Sequence, residues 1–255
     1  MIPVRDDAGS LRVCLAALAG QTVAPLEVIV VDNGSSDDSA AVARGGNARV
    51  VREERHGIPA AAATGYDAAV GDVIARLDAD CIPPADWIAS IADAMTRHPG
   101  VAAVTGGATF HDGPPAWRRT GARLYLGAYL AALAPALGHV PLFGSNLALR
   151  RSAWNEVRGM VHRSDPELHD DLDLSFHLGA PRRGVVRLVR FERTIALRIS
   201  HRPFSSGRAM VRRFVRGFRT VFLHWPHELP WLRWSRLVRA RATRRPATHP
   251  SRVVR

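Results

Sequence analysis

Two aspartates separated by one residue follow a short apolar run in the first third of the chain. Asp78, Ala79 and Asp80 come directly after residues 72–77 (DVIARL). Carboxylate oxygens are the ligands that hard divalent cations such as Mg²⁺ and Mn²⁺ prefer, and such a cation can neutralise a departing diphosphate. By itself the pair is equally compatible with a solvated acidic turn. The spacing predicts a cation site only if its surroundings agree.

Another aspartate ends an earlier strand-like run. Residues 26–31 (LEVIVV) are rich in β-branched side chains and lead into Asp32, which is typical of a strand buried on both faces. Helical patterns at 10–21, 35–44, 59–70 and 84–96 alternate with the strands. Such alternation predicts an α/β fold with a mostly parallel central sheet flanked by helices. Because ligands bind at the carboxyl ends of parallel strands, both acidic segments are expected at one edge.

The charge of the chain is concentrated at its end. All 35 basic residues are Arg, the net charge is +12, and residues 201–255 hold 14 of the Arg but only one acid, Glu228. Apolar residues recur at helical spacing between positions 208 and 223. We therefore expect a catalytic domain over residues 1–200 and a basic, amphipathic helical region over 201–255, with its end a candidate for disorder.

The chain carries few signals for export or membrane insertion. Cys14 and Cys81 have no metal-type spacing, which favours a reducing cytoplasm. Charges at positions 5–7 interrupt any signal-peptide pattern, and the apolar part of the uncharged stretch 124–149 is too short for a spanning helix. Only two residues precede Pro3. A central strand that short would leave backbone groups unpaired, so we expect Met1 not to be the natural start.

Several segments resemble glycosyltransferase family 2, whose members share the GT-A nucleotide-sugar-binding fold. The matching segments are 2–6 (IPVRD), 21–22 (QT), 27–37 (EVIVVDNGSSD), 77–81 (LDADC), 144–151 (GSNLALRR), 170–174 (DDLDL) and 213–217 (RFVRG). They occur in the family's order over about residues 1–217. The resemblance implies transfer of a sugar from a nucleotide-diphosphate donor to an acceptor hydroxyl, with inversion and with help from a divalent cation.

The resemblance assigns the donor side of the site to residues in the first third of the chain and to one arginine. Pro3 and Val4 would line the base pocket, Asp32 would bind the base, and Asp78 would hold the ribose or assist at the metal. Asp80 would ligate Mg²⁺ or Mn²⁺ beside the diphosphate. Arg213, in the C-terminal aromatic–arginine motif, would reach a phosphate. Asp32 has the alternative role of ending a strand, and Arg213 that of a solvated side chain.

The acceptor side is assigned to later segments. Asp171 would be the general base that takes the proton of the acceptor hydroxyl, and Asp170 and Asn146 would lie on the acceptor side. In the family's acidic pair Glu stands where this chain has Asp170. Asp171 has the alternative role of a helix cap, and Asn146 that of a turn residue. His201 is a possible third metal ligand, although a packed or surface histidine is the more ordinary role.

One family feature is missing from the chain. The family often has Arg-Asn before the glycine that is Gly65 here, but this sequence has Ala62 and Ala63. Any donor contact from those two side chains is therefore absent. Arg55 or His56 could take it over.

Two other functions compete with this hypothesis. A sugar-1-phosphate nucleotidyltransferase has a related fold, but it needs an early glycine-rich loop with a basic residue, and residues 3–20 contain only Gly9 and Gly20. A nucleic-acid-binding protein would use the basic tail, whose Trp225, Trp231 and Trp234 suit base stacking.

The same tail also suits a membrane interface, where Trp lies at head-group depth and Arg meets anionic lipid. Because the family often acts on lipid-linked or envelope acceptors, the membrane surface is the favoured partner and nucleic acid is not. We therefore expect the C-terminal region, residues 201–255, to dock peripherally on the inner face of the cell membrane, with the protein in the cytoplasm. A solvated tail remains open. Packing of the apolar face of the 208–223 helix on the catalytic domain also remains open, and it would leave only the region after Trp225 for lipid.

Overall fold

The computed structural model describes residues 1–179, 188–202, 206–225 and 227–242. The strands are β1 (Ile2–Val4), β2 (Ile29–Asp32), β3 (Arg49–Arg52), β4 (Val73–Arg76), β5 (Val101–Phe110), β6 (Leu147–Arg150) and β7 (Leu188–Ile199). The helices are α1 (Ala8–Ala19), α2 (Ser39–Gly45), α3 (Ile58–Ala68), α4 (Trp87–Arg97), α5 (Trp117–Leu137), α6 (Arg151–Val157), α7 (Asp170–Leu178), α8 (Gly207–His224) and α9 (Pro230–Ala242).

The strands form a central mixed sheet with helices packed against it. In one half, β1, β2 and β3 are paired in parallel, and in the other the order is β4-β6-β5-β7. The two halves meet at β1 and β4, because the nitrogen of Met1 donates to the Ala75 oxygen at 2.7 Å and the Leu77 N–H donates to the Met1 oxygen at 3.4 Å. This is the hydrogen-bond pattern of a parallel pair. The expected α/β class is confirmed.

Strand β6 runs against its neighbours, which the simple strand–helix alternation did not predict. It pairs antiparallel with β4 and with β5, whereas β5 and β7 are parallel. Leu147, the first residue of β6, is registered with Arg76, the last residue of β4. The reversal therefore places the loop before β6 at the carboxyl end of β4, beside Asp78 and Asp80.

Helix α2 begins later than the sequence suggested. We expected Asp37 and Asp38 in the first turn of a helix over 35–44, but the helix begins at Ser39. The Asp37 carboxylate instead accepts hydrogen bonds from the Ala8 N–H at 2.9 Å and from Ser39. Residues 35–38 are thus kept in a loop that is fastened to the start of α1, next to Asp32.

The C-terminal helices pack on the body of the protein largely through polar groups, to which Val221 of α8 and Leu237 of α9 add apolar contacts. Thr220 and His224 are the buried residues of α8, which lies on α7. Arg233 of α9 is fully buried and donates to the Phe176 oxygen at 3.0 Å and to Glu228 at 3.1 Å. The apolar side of α8 stays exposed, so the alternative of an apolar face packed on the catalytic domain is wrong.

The alternating pattern of residues 183–199 also predicts one or two strands, and the start of this segment lies outside the described residues. The end of the basic region, the candidate for disorder, lies outside them as well. The boundary near residue 200 stays a prediction. Within the ranges that the structure describes, no helix has the length and apolar character needed to cross a bilayer.

Candidate active site

The expected base-binding residues lie together at the carboxyl ends of β1 and β2. Pro3 and Val4 are registered beside Val31 and Asp32. Asp32 is buried, and one of its carboxylate oxygens accepts the Ser35 N–H at 2.9 Å. This contact gives Asp32 the strand-ending role in the structure, while its position at the sheet edge keeps it available as a base-binding residue.

The two aspartates after β4 have different surroundings. Asp78 accepts a hydrogen bond from the Ser145 hydroxyl at 2.6 Å. Asp80 is half-buried, and burial together with the charges of Asp78 and Asp7 raises its pKa to about 6. The Cys81 thiol, at 3.8 Å, is a weak hydrogen-bond donor to its carboxylate. Carboxylates crowded in this way fit a divalent cation, which would offset their mutual repulsion.

A buried arginine that the sequence analysis overlooked joins the two acidic motifs. The Arg76 side chain is 2% exposed, contacts an oxygen of Asp170, and lies 3.5 Å from an oxygen of Asp78. Tyr66 is a further partner at 3.5 Å. The signal was present in the sequence, because Arg76 is the one basic residue in an otherwise apolar strand (DVIARL). A charged residue in a buried strand needs a buried partner.

The acidic pair begins α7. Asp171 is buried, and its carboxylate contacts His169 Nδ1 and accepts the Gly144 N–H at 2.7 Å. Burial alone would raise the pKa of Asp171, but His169, Arg76 and the Gly144 N–H lower it to about 2. Burial raises the pKa of Asp170, with Arg76 acting against that rise.

His169 is the other residue that the sequence analysis did not identify. Burial alone would lower its pKa, but the Asp171 carboxylate beside it raises the pKa above the ordinary histidine value. The local sequence HDD, with histidine directly before two acids, was the available signal. The pair thus places the Asp171 carboxylate beside an imidazole whose pKa is raised, close to Arg76.

The side chain of Asn146 lies in the core and connects several elements of the fold. Its side chain is fully buried, accepts the Trp87 indole N–H at 3.0 Å, and donates to the oxygens of Gly107 and Ile195 at 2.9 and 3.0 Å. Its amide therefore holds α4, β5 and β7 together, which fits a structural role, and the acceptor-side role stays a prediction. Ser145, its neighbour, is the residue of this loop that reaches Asp78.

Arg213 lies on α8, and His201 lies shortly after the end of β7. Arg213, on α8, donates to the Tyr125 hydroxyl of α5 at 3.3 Å. Burial raises the pKa of Tyr125, and the charge of Asp171 adds to that rise. Arg213 therefore lies on the same side of the molecule as the acidic pair. The His201 ring packs edge-to-face on Phe110 at 5.4 Å, which is the ordinary packed role.

The segment expected to compensate for the missing Arg-Asn pair is fixed by an ion pair. Arg55 contacts Glu53 at 2.9 Å, and Thr64 donates to the same carboxylate. The hydrogen bond from Arg55 lowers the pKa of Glu53 and burial raises it, and the resulting pKa is about 2. Because Asn33 donates to the Arg55 oxygen at 2.7 Å, this arginine is held next to the Asp32 loop.

The fold, with acidic strand ends at one edge of a mixed sheet, defines a glycosyltransferase of the GT-A type. The model of Glycosyl transferase family 2 matches residues 1–158, and the chain belongs to this family.

Similar proteins agree with this assignment. Glycosyltransferase AglE of Haloferax volcanii is 35% identical over 96 residues, which are 34% of this chain and 32% of AglE. The matched segment thus spans about a third of that relative's length. Glucosyl-3-phosphoglycerate synthase from Mycobacterium tuberculosis shares the fold at 20% identity. Its complex with Mn²⁺, uridine-diphosphate and phosphoglyceric acid gives a TM-score of 0.59 over 84% of this chain and 74% of the synthase. The complex with Mn²⁺, UDP-glucose and phosphoglyceric acid gives 0.55 over 86% and 78%.

Proposed function

We propose that this protein transfers a sugar from a nucleotide-diphosphate donor to an acceptor hydroxyl, with inversion and with the help of Mg²⁺ or Mn²⁺. The observation that carries the proposal is the Arg76 bridge between Asp78 and Asp170. It links the segment proposed to bind the donor to the segment proposed to bind the acceptor. Family membership supports the same reaction.

On the donor side, Asp80 would hold the cation, with Asp78 assisting. When bound, the cation supplies charge neutralisation for the departing diphosphate. Pro3, Val4 and Asp32 would hold the base, since they share one edge of the β1–β2 pair. Arg213 would contact a phosphate from α8. Uracil is the first base to test, because the structures of the synthase named above contain uridine diphosphate.

On the acceptor side, we propose Asp171 as the general base. Its Oδ1 contacts His169 and the Leu172 N–H, and within the described residues its Oδ2 accepts only the Gly144 N–H, so an acceptor hydroxyl would approach Oδ2 or replace the His169 contact. Catalytic hydrogen bonds are commonly rearranged when the substrate binds. Asp170 is the second candidate, because its side chain is 13% exposed against 5% for Asp171.

Calorimetry with UDP, with and without Mn²⁺, tests the donor site. We expect Mn²⁺ to tighten UDP binding, and Asp80→Asn to lose most of that gain, about tenfold or more in affinity, because a charged ligand is removed. Asp93→Asn, an exposed surface change on α4, is the matched control and should bind like the wild type. Equal metal-dependent affinity for the wild type and Asp80→Asn would remove Asp80 from the site. The absence of metal-dependent binding across a panel of nucleoside diphosphates would refute the proposed activity.

We further propose that α8 docks on an anionic membrane, where a lipid-linked acceptor of cell-envelope synthesis would be presented. The apolar side of α8 is exposed; Phe214, Phe218 and Phe222 are each about 60% accessible. Trp231 and Trp234 of α9 are exposed as well. An exposed apolar strip with arginines on the same helix is typical of helices that lie in the membrane interface. The docking surface proposed here is therefore α8 and α9, within the C-terminal region that the sequence had suggested.

Vesicle sedimentation tests the docking proposal. The triple change Phe214→Ser, Phe218→Ser, Phe222→Ser should abolish binding to phosphatidylglycerol-rich vesicles at low salt, because the buried apolar area is lost. A control with Leu26→Ser and Val70→Ser, which are exposed elsewhere, should bind like the wild type. Equal sedimentation of all three proteins would contradict membrane docking by α8, and binding to an oligonucleotide without binding to vesicles would favour the nucleic-acid hypothesis. Truncation before residue 226 is a poorer test, because it removes the buried Arg233.

A further inference from the structure

Three histidines and one aspartate converge where α8 packs on α7. The four side chains are His162 from the loop before α7, Asp173 and His177 from α7, and His224 from the last turn of α8. One ligand atom from each lies within 4.8 Å of every other. Asp173 and His177 are four residues apart on the helix, so that they share one face, and His224 is brought over them by the packing of α8.

The distances suit a tetrahedral metal centre. One oxygen of Asp173, Oδ1, lies 2.8 Å from His162 Nδ1, 3.4 Å from His177 Nε2 and 3.2 Å from His224 Nε2. Ligands bound about 2.0–2.1 Å from a zinc ion in a tetrahedron are separated by about 3.3 Å. The three distances from Asp173 are therefore close to the spacing that a bound ion would impose, and all four ligand atoms lie within 4.8 Å of one another.

In two of the imidazoles one ring nitrogen, Nε2, makes no hydrogen bond of good geometry although it lies near Asp173. His224 Nδ1 lies 2.8 Å from the Thr220 oxygen, which can only accept, so Nδ1 carries the proton. In a neutral ring Nε2 is then a lone-pair donor directed at the cluster. Within the described part of the chain, Nε2 of His177 and Nε2 of His224 are buried without a hydrogen-bond partner. Such nitrogens are rare in folded proteins unless an ion uses them.

The surroundings are those of a supported metal site. The Thr220 oxygen fixes the ring nitrogen of His224 that faces away from the cluster, a common arrangement behind metal-bound histidine. The second oxygen of Asp173 accepts the His162 backbone N–H at 2.8 Å, so that Oδ1 alone faces the histidines. Phe176 stacks on the His224 ring at 4.2 Å and covers one side. His162 is half-exposed and offers an entry path.

We propose that these four side chains form a structural zinc site, separate from the cation at the donor diphosphate. Three imidazoles and one carboxylate are a zinc donor set, and four protein ligands leave no open position for a substrate. The ion fastens α8 and the loop of His162 to α7, whose first turn carries Asp170 and Asp171. The protein thus holds two kinds of metal, one retained during purification and one exchanged with the donor.

Metal analysis of the full-length chain, purified without a histidine tag, tests this site. We expect about one zinc per chain after extensive dialysis, with chelation lowering the melting temperature and added Zn²⁺ restoring it. Substitution with Co²⁺ should give the intense visible absorption of a tetrahedral centre. His224→Ala and His177→Ala should reduce zinc occupancy about tenfold or more. His227→Ala, an exposed histidine three residues beyond His224, is the matched control and should keep the metal.

The exposed ligand allows a test that does not depend on core packing. His162→Ala should fold, because its side chain is 41% accessible, yet it should lose zinc and the Co²⁺ spectrum. The proposal is refuted if the wild-type chain holds no zinc and neither Zn²⁺ nor Co²⁺ changes its melting temperature or spectrum. It is equally refuted if the three ligand variants retain as much zinc as His227→Ala.

Discussion

Replacing Arg76 by methionine removes the central cation of the acidic site and leaves a carboxylate buried without its partner. The Arg76 side chain is 2% exposed and that of Asp170 is 13% exposed, so water does not replace the lost contact. Removing one partner of a buried ion pair lowers the free energy of unfolding by about 3–5 kcal/mol. We expect Arg76→Met to lower the free energy of unfolding by about that amount at pH 7.5, since methionine keeps the volume and removes only the charge.

The sign of the pH dependence follows from Asp170. Burial already holds its pKa above the ordinary aspartate value, and Arg76 opposes that rise. Without Arg76 the pKa of Asp170 in the folded state rises further. Above its pKa in the folded variant, Asp170 is charged and the buried charge lowers the stability in full. Below the unfolded-state pKa of about 3.9, Asp170 is protonated in both the folded and the unfolded state, and this cost is absent. The difference between variant and wild type should therefore be largest at neutral pH and shrink as the pH falls.

Urea denaturation followed by tryptophan fluorescence measures both effects. The matched background is Asp170→Asn, which has no carboxylate at this position. In that background Arg76→Met should lower the free energy of unfolding clearly less than it does in the wild type. The coupling energy between the two positions should be about 2 kcal/mol or more. The ion-pair reasoning would be refuted if Arg76→Met lowered the free energy of unfolding by less than about 1 kcal/mol, or by the same amount in the Asp170→Asn background as in the wild type.

Two further substitutions separate chemistry from structure. Asp171→Asn should lower transfer about 10²–10⁴-fold while UDP binding measured by calorimetry stays near wild type; if Asp170→Asn alone has this effect, the base is Asp170. Asn146→Ala should lower the free energy of unfolding by about 3 kcal/mol, because the Trp87 indole N–H and two carbonyl oxygens lose their partner. A normal stability in urea for Asn146→Ala, with a weakened acceptor KM, would restore Asn146 to the acceptor side.

The parts of the fold that depend on local pattern were predictable from the sequence. Strands β2 and β4 follow from runs of β-branched and apolar residues, and the aspartates at their ends follow from the rule for parallel strands. The direction of β6 was not predictable in this way. Its antiparallel pairing with β4 and β5 depends on contacts between residues about 45–75 positions apart, which strand periodicity does not report.

The site was predicted as a set of residues but not as a network. Asp78 and Asp170 were identified from motifs, whereas their joint partner Arg76 lies in a strand that was treated as apolar. Asn146 belongs to a matching segment, yet the side chain that points to Asp78 is that of Ser145. Which of two neighbouring residues faces a site depends on the local backbone direction. The exposed face of α8 was also beyond prediction, because periodicity defines an apolar side without saying what covers it.

The antiparallel course of β6 also sets where the chain tolerates a change of length. Strand β5 ends at Phe110 and β6 begins at Leu147, and because the two strands run in opposite directions, the intervening segment leaves and rejoins the sheet at the same edge. The end of this segment is fixed, because Gly144, Ser145 and Asn146 contact the acidic site and the core. Residues 113–116, which precede α5, are exposed instead. Because lengthening a loop between fixed ends has only a modest entropic cost, we expect insertions there to leave the donor-side strands as they are.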